Sequence, residues 1–260
     1  MSLKGKVALI TGVAGPSGMG FASAKRMGLE GANLAIADIS NEVNDRADEL
    51  RSLGCKVASF KLDLTQLKDV SSMVENIVRA QGRIDILANI AGIGPRGTGL
   101  SLGKLFIDMT EEEWEGQIAI NLKTTFNCTK AVLPHMIKQR YGKIVNMSSV
   151  TGTIVSDPGA TAYSAAKGGV SGLTKALALE VAQYGITVNA ICPGWIDTGR
   201  TLERKAGLSS PMKRAGRPEE VANLVLFLAS DESSYLSGHD LVIDGANILQ
   251  EYKGEGELSY

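Results

Sequence analysis

The chain has 260 residues, with 27 lysines and arginines against 28 aspartates and glutamates, for a formal net charge of −1. That length suits one large α/β domain or two small ones, and the balanced charge gives no electrostatic case for nucleic acid or an anionic membrane. Three scattered cysteines (Cys55, Cys128, Cys192) argue against a disulfide scaffold, and two histidines leave no histidine-rich metal spacing, so no metal is expected. The start, "MSLKGKVALITG", enters a strand without a signal-like apolar core. No apolar run approaches the roughly 20 residues of a membrane span. The expectation is a soluble, cytoplasmic protein in a reducing compartment.

In chain order, short apolar runs alternate with longer helical patterns. The strands expected are "KVALI" (6–10), "NLAIA" (33–37), "KVASFKL" (56–62), "IDILANI" (84–90), "KIVNMS" (143–148), "TVNAIC" (187–192) and "DLVID" (240–244). Several are apolar nearly throughout, as strands buried on both faces are. Helices are expected over 20–30, 41–53, 67–81, 111–139, 162–184 and 218–229. Thr110 and Glu113 can cap the fourth, and Pro218 suits the first turn of the last. The alternation predicts an α/β fold: a Rossmann-like, doubly wound parallel sheet of about seven strands with helices on both faces. No composition shift divides the chain, so 1–260 reads as a single domain. Ligands in such folds bind beyond the carboxyl ends of the strands. Two irregular stretches begin there, 92–108 and 194–216, and the second reads as a substrate lid. Its Arg200, Arg204 and Lys205 can meet an anionic substrate or form a solvated face, and the solvated face is the favoured reading.

"TGVAGPSGMG" (11–20) follows the first strand and opens the first helix. Helix N-terminal amides attract phosphate, and glycine lets it approach. Gly12 can turn the chain; Ser17, Gly18 and Met19 can line the helix start. A dinucleotide fingerprint G-x-G-x-x-G would need glycine at Ser23, so the spacing is unusual. Asp38 ends the second strand, where a carboxylate can accept from both adenosine ribose hydroxyls and repel a 2′-phosphate. No lysine or arginine lies within 11–20 to offset that repulsion, so the expected cofactor is NAD. The competing role for Asp38 is to start the following helix. Asp63, followed by Leu64, can meet the adenine; Asn89, Ala91 and Gly92 end the fourth strand with small groups on which a flat ring can lie.

Tyr163 and Lys167 share a helix face at i, i+4, and an ammonium near a phenol lowers its pKa, making Tyr163 a general acid or base. Ser149, at the end of the fifth strand, can hold a substrate oxygen; Ser148 can merely close the strand. Asn121 interrupts an apolar helical stretch. It can hold a water that relays protons to Lys167, or simply bend the helix.

These residues together resemble the short-chain dehydrogenase/reductase family over nearly the whole chain: "TGVAGPSGMG", Asp38, Asp63, "NIAG", Asn121, Ser149, "YSAAK", "PGWIDT" and "DG" at 244–245. The resemblance implies a catalytic triad of Ser149, Tyr163 and Lys167, with Asn121 completing a tetrad. It implies further that Ile196 and Thr198 hold the nicotinamide carboxamide above a turn at Pro193 and Gly194. Tyr163 and Lys167 also belong to the implied cofactor contacts. Two departures stand out. Ile90 replaces the family's second amide in "NNAG", and the glycine turn is two residues longer than the family's usual one. That longer turn is similar to the turn of the family's enoyl reductases, whose tyrosine and lysine stand further apart than here.

The reading is therefore an NAD(H)-dependent oxidoreductase interconverting a small-molecule secondary alcohol and ketone. The alternatives are an enoyl or 3-oxoacyl-thioester reductase, or a non-catalytic nucleotide sensor. Asp38 weighs against the 3-oxoacyl reading, since that reduction generally draws on NADPH. Gly168, Gly169 and Gly172 each cost about 1 kcal/mol inside a helix relative to Ala. Close approach of a mate helix in a family-like homotetramer would offset that cost. The tail 247–260 can cross to a neighbour or be disordered.

Overall fold

The computed structural model describes residues 1–92 and 104–250. Most of the glycine-rich loop 92–108 and the tail beyond 250 therefore lie outside the described residues. The strands are β1 (Val7–Thr11), β2 (Asn33–Asp38), β3 (Val57–Lys61), β4 (Ile86–Asn89), β5 (Gly142–Met147), β6 (Ile186–Pro193) and β7 (Asp240–Ile243). They form one parallel sheet in the order β3-β2-β1-β4-β5-β6-β7. The α-helices are α1 (Met19–Leu29), α2 (Val43–Ser52), α3 (Leu67–Gln81), α4 (Glu111–Ile118), α5 (Thr124–Gln139), the irregular turn α6 (Val150–Thr153), α7 (Thr161–Val181), α8 (Thr201–Gly207) and α9 (Pro218–Ala229).

Strand alternation splits the core across the two faces. Along β1, Ala8 and Ile10 join Met27 of α1, Leu50 of α2 and Val225 of α9. Val7 and Leu9 join Ile77 of α3, Val132 of α5 and Val181 of α7 on the opposite face. Each such side chain, fully buried, contributes roughly 1.5–3 kcal/mol. Because both faces are covered, the strands read as unbroken apolar runs rather than alternating ones. The strand order reverses between β1 and β4, which opens a crevice beyond their carboxyl ends.

The expected helix 111–139 is interrupted. A π segment, Ala119–Lys123, separates α4 from α5. Its wider turn brings Asn121 inward, where Nδ2 donates to Gln117 Oε1 at 2.8 Å. Pro134 lies inside α5 without ending it. The capping expected at 110–113 forms: Glu113 N–H donates to Thr110 Oγ1 at 3.2 Å, and Thr110 N–H donates to Glu113 Oε2 at 2.9 Å.

Candidate active site

The glycine turn is built by close approach. Gly12 has φ +74°, and a Cβ there would lie 2.8 Å from the Ala91 backbone; a Cβ on Gly20 would overlap the Gly12 carbonyl. The turn is thereby pinned between β1, β4 and α1. The N-cap Gly18 offers no side chain to the first amides of α1, and no acid occupies the first turn. Those amides suit a phosphate. The added length forms an outward bend closed by Gly18 N–H donating to the Gly15 carbonyl at 2.9 Å. Its exposed Ser17 faces the start of the 194–216 segment: a Cβ on Gly199 would come within 3.8 Å of Ser17 Cβ.

Asp38 bridges two loops and keeps acceptor capacity to spare. Its Oδ2 accepts from Ala14 N–H at 2.9 Å, bracing the glycine turn, and Oδ1 accepts from Ser40 N–H at 3.1 Å ahead of α2. A carboxylate has about four acceptor positions, so capacity for two ribose hydroxyls is left. These residues fit a dinucleotide on both counts, an uncapped helix start and a spaced acid. Asp63 accepts from Thr65 N–H and Oγ1–H at 2.9 and 2.8 Å. Burial pushes its carboxyl up, but those bonds outweigh burial and leave it below the usual range.

Three expected cofactor contacts turn out to commit their side chains elsewhere. Leu64 packs in the core, and its carbonyl accepts from Asn127 Nδ2 at 2.9 Å. Asn89 donates to Thr129 Oγ1 at 3.1 Å and to Asn146 Oδ1 at 2.9 Å, so its amide ties β4 to α5 and β5. Ile196 is 5% exposed and belongs to the core. Any cofactor contact by these three is left to main-chain atoms. Ala91 N–H, with Ile90 N–H, donates to Thr11 Oγ1 at 3.0 Å. Ile90, the departure from the family amide, is buried in the core.

The reacting groups converge at the ends of β4 and β5. Ser149 caps α6, its Oγ accepting from Thr151 N–H at 3.1 Å. Its hydroxyl faces Tyr163 and draws the phenol's pKa down. Lys167 is buried and donates to the Met147 carbonyl at 2.8 Å, with Nζ 5.8 Å from the Tyr163 ring centre. A Cβ on Gly92 would lie 2.9 Å from Asn121 Oδ1 and 3.1 Å from Lys167 Nζ. Gly92 thus leaves open the one point that amide and ammonium share. The serines part as their neighbours dictate. Ser148 turns inward to the Lys167 carbonyl at 2.9 Å, Thr153 Oγ1 at 3.0 Å and Ser171 Oγ at 3.3 Å, which leaves Ser149 for the site.

One electrostatic expectation is corrected. Burial pushes the Tyr163 phenol above its ordinary pKa; the Ser149 hydrogen bond and the Arg200 charge oppose this, and Lys167 is not among the causes. Burial also pushes Lys167 down, to about 8. The chain by itself therefore presents a protonated phenol.

The far wall comes from the segment after β6. Pro193 ends that strand, and a Cβ on Gly194 would lie 2.7 Å from Asp244 Cβ, so this turn sits against the "DG" turn. Thr198 donates its N–H and its hydroxyl to Glu203 Oε2 at 2.9 and 2.7 Å. Arg200 pairs with Glu203, and Arg204 with Asp197 at 2.8 Å. The Arg204 pair fits a solvated face, whereas Arg200 reaches inward to a buried Glu203. Gln117 and Glu203 are not singled out in the sequence, and Arg200 reads there chiefly as part of a solvated face. Only a carboxylate five residues after Thr198 hints at Glu203.

The geometry defines a nucleotide-binding oxidoreductase site with a serine–tyrosine–lysine wall. A family model described as enoyl-(acyl carrier protein) reductase matches residues 12–246. The oxidoreductase UcpA of Salmonella typhimurium is 44% identical, with 96% of this chain and 97% of the relative covered. The 3-oxoacyl-[acyl-carrier-protein] reductase FabG of Thermotoga maritima is 45% identical, with 96% and 100% covered. The crystal structure of a short-chain type dehydrogenase/reductase from Mycobacterium marinum superposes with a TM-score of 0.85 at 35% identity, over 95% of this chain and 96% of that one. The chain belongs to the short-chain dehydrogenase/reductase family and is an oxidoreductase of the kind that uses a nicotinamide cofactor.

Proposed function

We propose that the protein, a single domain over 1–260, is an NAD(H)-dependent oxidoreductase interconverting a secondary alcohol and the matching ketone. The observation that carries this reading is the convergence of Ser149, Tyr163, Lys167 and Asn121 beside the glycine turn. The bound reduced nicotinamide supplies a hydride to the carbonyl carbon. Ser149 holds the carbonyl oxygen, and Tyr163 gives that oxygen its proton. Lys167 spends one of three N–H groups on Met147 and keeps two for a ribose hydroxyl and a water held by Asn121. The phenol carries its proton at neutral pH, as carbonyl reduction requires, although burial makes it a weaker acid than free tyrosine. Alcohol oxidation needs the phenolate and accelerates as pH rises. Asp38 supports NAD over NADP.

A 3-oxoacyl thioester is the second candidate substrate, favoured by the likeness to the Thermotoga maritima enzyme. The Tyr-x-x-x-Lys spacing within one helix weighs against enoyl reduction, and the complete reacting set weighs against a mere sensor. The three cysteines are free and buried, as suits a reducing, cytoplasmic setting. Among the described residues no helix is long and apolar enough to cross a membrane.

We read the assembly as a homotetramer, because α7 presents Leu179, 84% exposed, and an open Gly172. Gly168 and Gly169 also make room within the chain. A Cβ on either would press on Gly152 or Leu122 of the same chain, at 2.9 and 2.8 Å.

The deciding experiment measures NAD reduction with a panel of secondary alcohols, beside NADH oxidation with 3-oxoacyl and crotonyl thioesters. Turnover of crotonyl thioester alone would overturn the reading.

A further inference from the structure

We propose that Glu203 is a positioning residue for the cofactor amide: by accepting the hydrogen bond that the Thr198 hydroxyl donates, it leaves that hydroxyl an acceptor toward the nicotinamide carboxamide N–H2. The inference rests on the reading that Thr198 meets the carboxamide.

A threonine hydroxyl has one proton and two lone pairs. In the structure its proton goes to Glu203 Oε2 at 2.7 Å, and the Thr198 N–H goes to the same oxygen at 2.9 Å. Both donors of Thr198 are therefore spent on one side chain, and what the residue offers outward is lone pairs. A carboxamide presents both an N–H2 donor and a carbonyl acceptor; the N–H2 end is the one that matches. Glu203 is 5% exposed, and its other oxygen faces Arg200. It is thus held in place from both ends.

A competing role is plain helix stabilisation. Glu203 lies in the first turn of α8, where a carboxylate stabilises the helix start whatever Thr198 does. The two roles separate on cofactor chemistry. In 3-acetylpyridine adenine dinucleotide a methyl group replaces the N–H2, so no donor reaches Thr198.

The experiment is calorimetric titration of the full chain with NAD and with this analogue, for wild type, Glu203→Gln, Glu203→Met and Thr198→Val. Glu203→Gln keeps an acceptor oxygen and is expected to hold the wild-type ratio of the two dissociation constants. Glu203→Met and Thr198→Val are expected to lower that ratio about fivefold, the factor one ordinary hydrogen bond gives. Both constants come from one preparation, so a reduced folded fraction cancels. A wild-type ratio in Glu203→Met alongside a lowered one in Thr198→Val overturns the inference and spares the reading beneath it. A Gln variant as impaired as the Met variant also overturns it, since pairing with Arg200 would then be the role. A wild-type ratio in Thr198→Val overturns the underlying reading and the inference with it.

Discussion

The wall formed by the ends of β4 and β5 with α7 differs in kind from the rim formed by the glycine turn and the 194–216 segment. In the wall, polar groups are buried and bonded to backbone carbonyls or to one another, as Lys167 is to Met147 and Ser148 is to Lys167. In the rim, charged side chains pair with each other at the surface, as Arg204 does with Asp197 and Arg214 with Glu220, and large apolar side chains stand exposed, among them Leu202 and Met212. Buried polar networks are rigid because each lost partner is costly. Exposed pairs contribute little individually. On the proposed function, proton transfer, which needs fixed geometry, falls to the first region, and Lys167 extends that region to the cofactor ribose.

The sharpest way to break this comparison is in the wall. Tyr163→Phe retains the ring and is expected to lower carbonyl reduction by about 10²- to 10⁴-fold, the usual contribution of a positioned acid. Affinity for NADH, titrated by fluorescence, stays within about twofold. Turnover near that of wild type would remove the wall's chemical role.

In the rim, Asp38 is expected to give NAD at least a tenfold advantage over NADP in kcat/KM, the factor that roughly 1.4 kcal/mol of charge repulsion produces. Asp38→Ala narrows that gap. Because Asp38 also braces Ala14, the variant is expected to weaken binding of both cofactors. Equal use of both cofactors by the wild type would refute the assignment.

A smaller effect returns to the wall. Burial places Lys167 at about 8, below its ordinary range, so its ammonium is present under that pH and lost above it. NADH affinity is expected to weaken a few-fold as pH rises through about 8, as the charge-assisted bond to the ribose weakens. Lys167→Met flattens this dependence; an unchanged profile in the variant would assign the titration to another group.

The smallest effect tests whether the rim's ion pairs hold the segment in place. Glu220 is held at about 2, chiefly by the Arg214 guanidinium and by Arg217 N–H, which it accepts at 2.7 Å at the start of α9. A depressed carboxyl stabilises the fold above its unfolded value and loses that contribution as pH falls. Glu220→Ala is expected to lower the melting temperature by roughly 2–4 °C at pH 7. The difference shrinks as pH falls from about 4.5 toward about 2. A constant difference across that range would show that the ion pair contributes nothing.

Much of this molecule was determined by the sequence alone. The inner strands were legible because burial on both faces demands unbroken apolar runs, while the half-exposed β3 and β7 were legible from their β-branched and apolar residues; α9 runs over 218–229 as expected because proline punctuates its start. The glycine turn, Asp38 and the Tyr163–Lys167 pair were legible because fixed spacing on a strand end or helix face is a local property. Tertiary structure decided the rest. The sequence marks Asn121 as an interruption of an expected helix but does not show a π segment; the widened turn at 119–123 and the inward bond of Asn121 to Gln117 are seen only once the chain is folded. Gly168 and Gly169 suit a helix contact in sequence, and only packing shows that they also make room for Gly152 and Leu122 of the same chain. The phenol of Tyr163 shifts upward because burial outweighs its neighbours, and the bond between Thr198 and Glu203 depends on a turn that spacing does not encode. Periodicity and motif are set by neighbours along the chain. Burial, charge balance and the direction of a hydrogen bond are set by whatever the fold brings alongside.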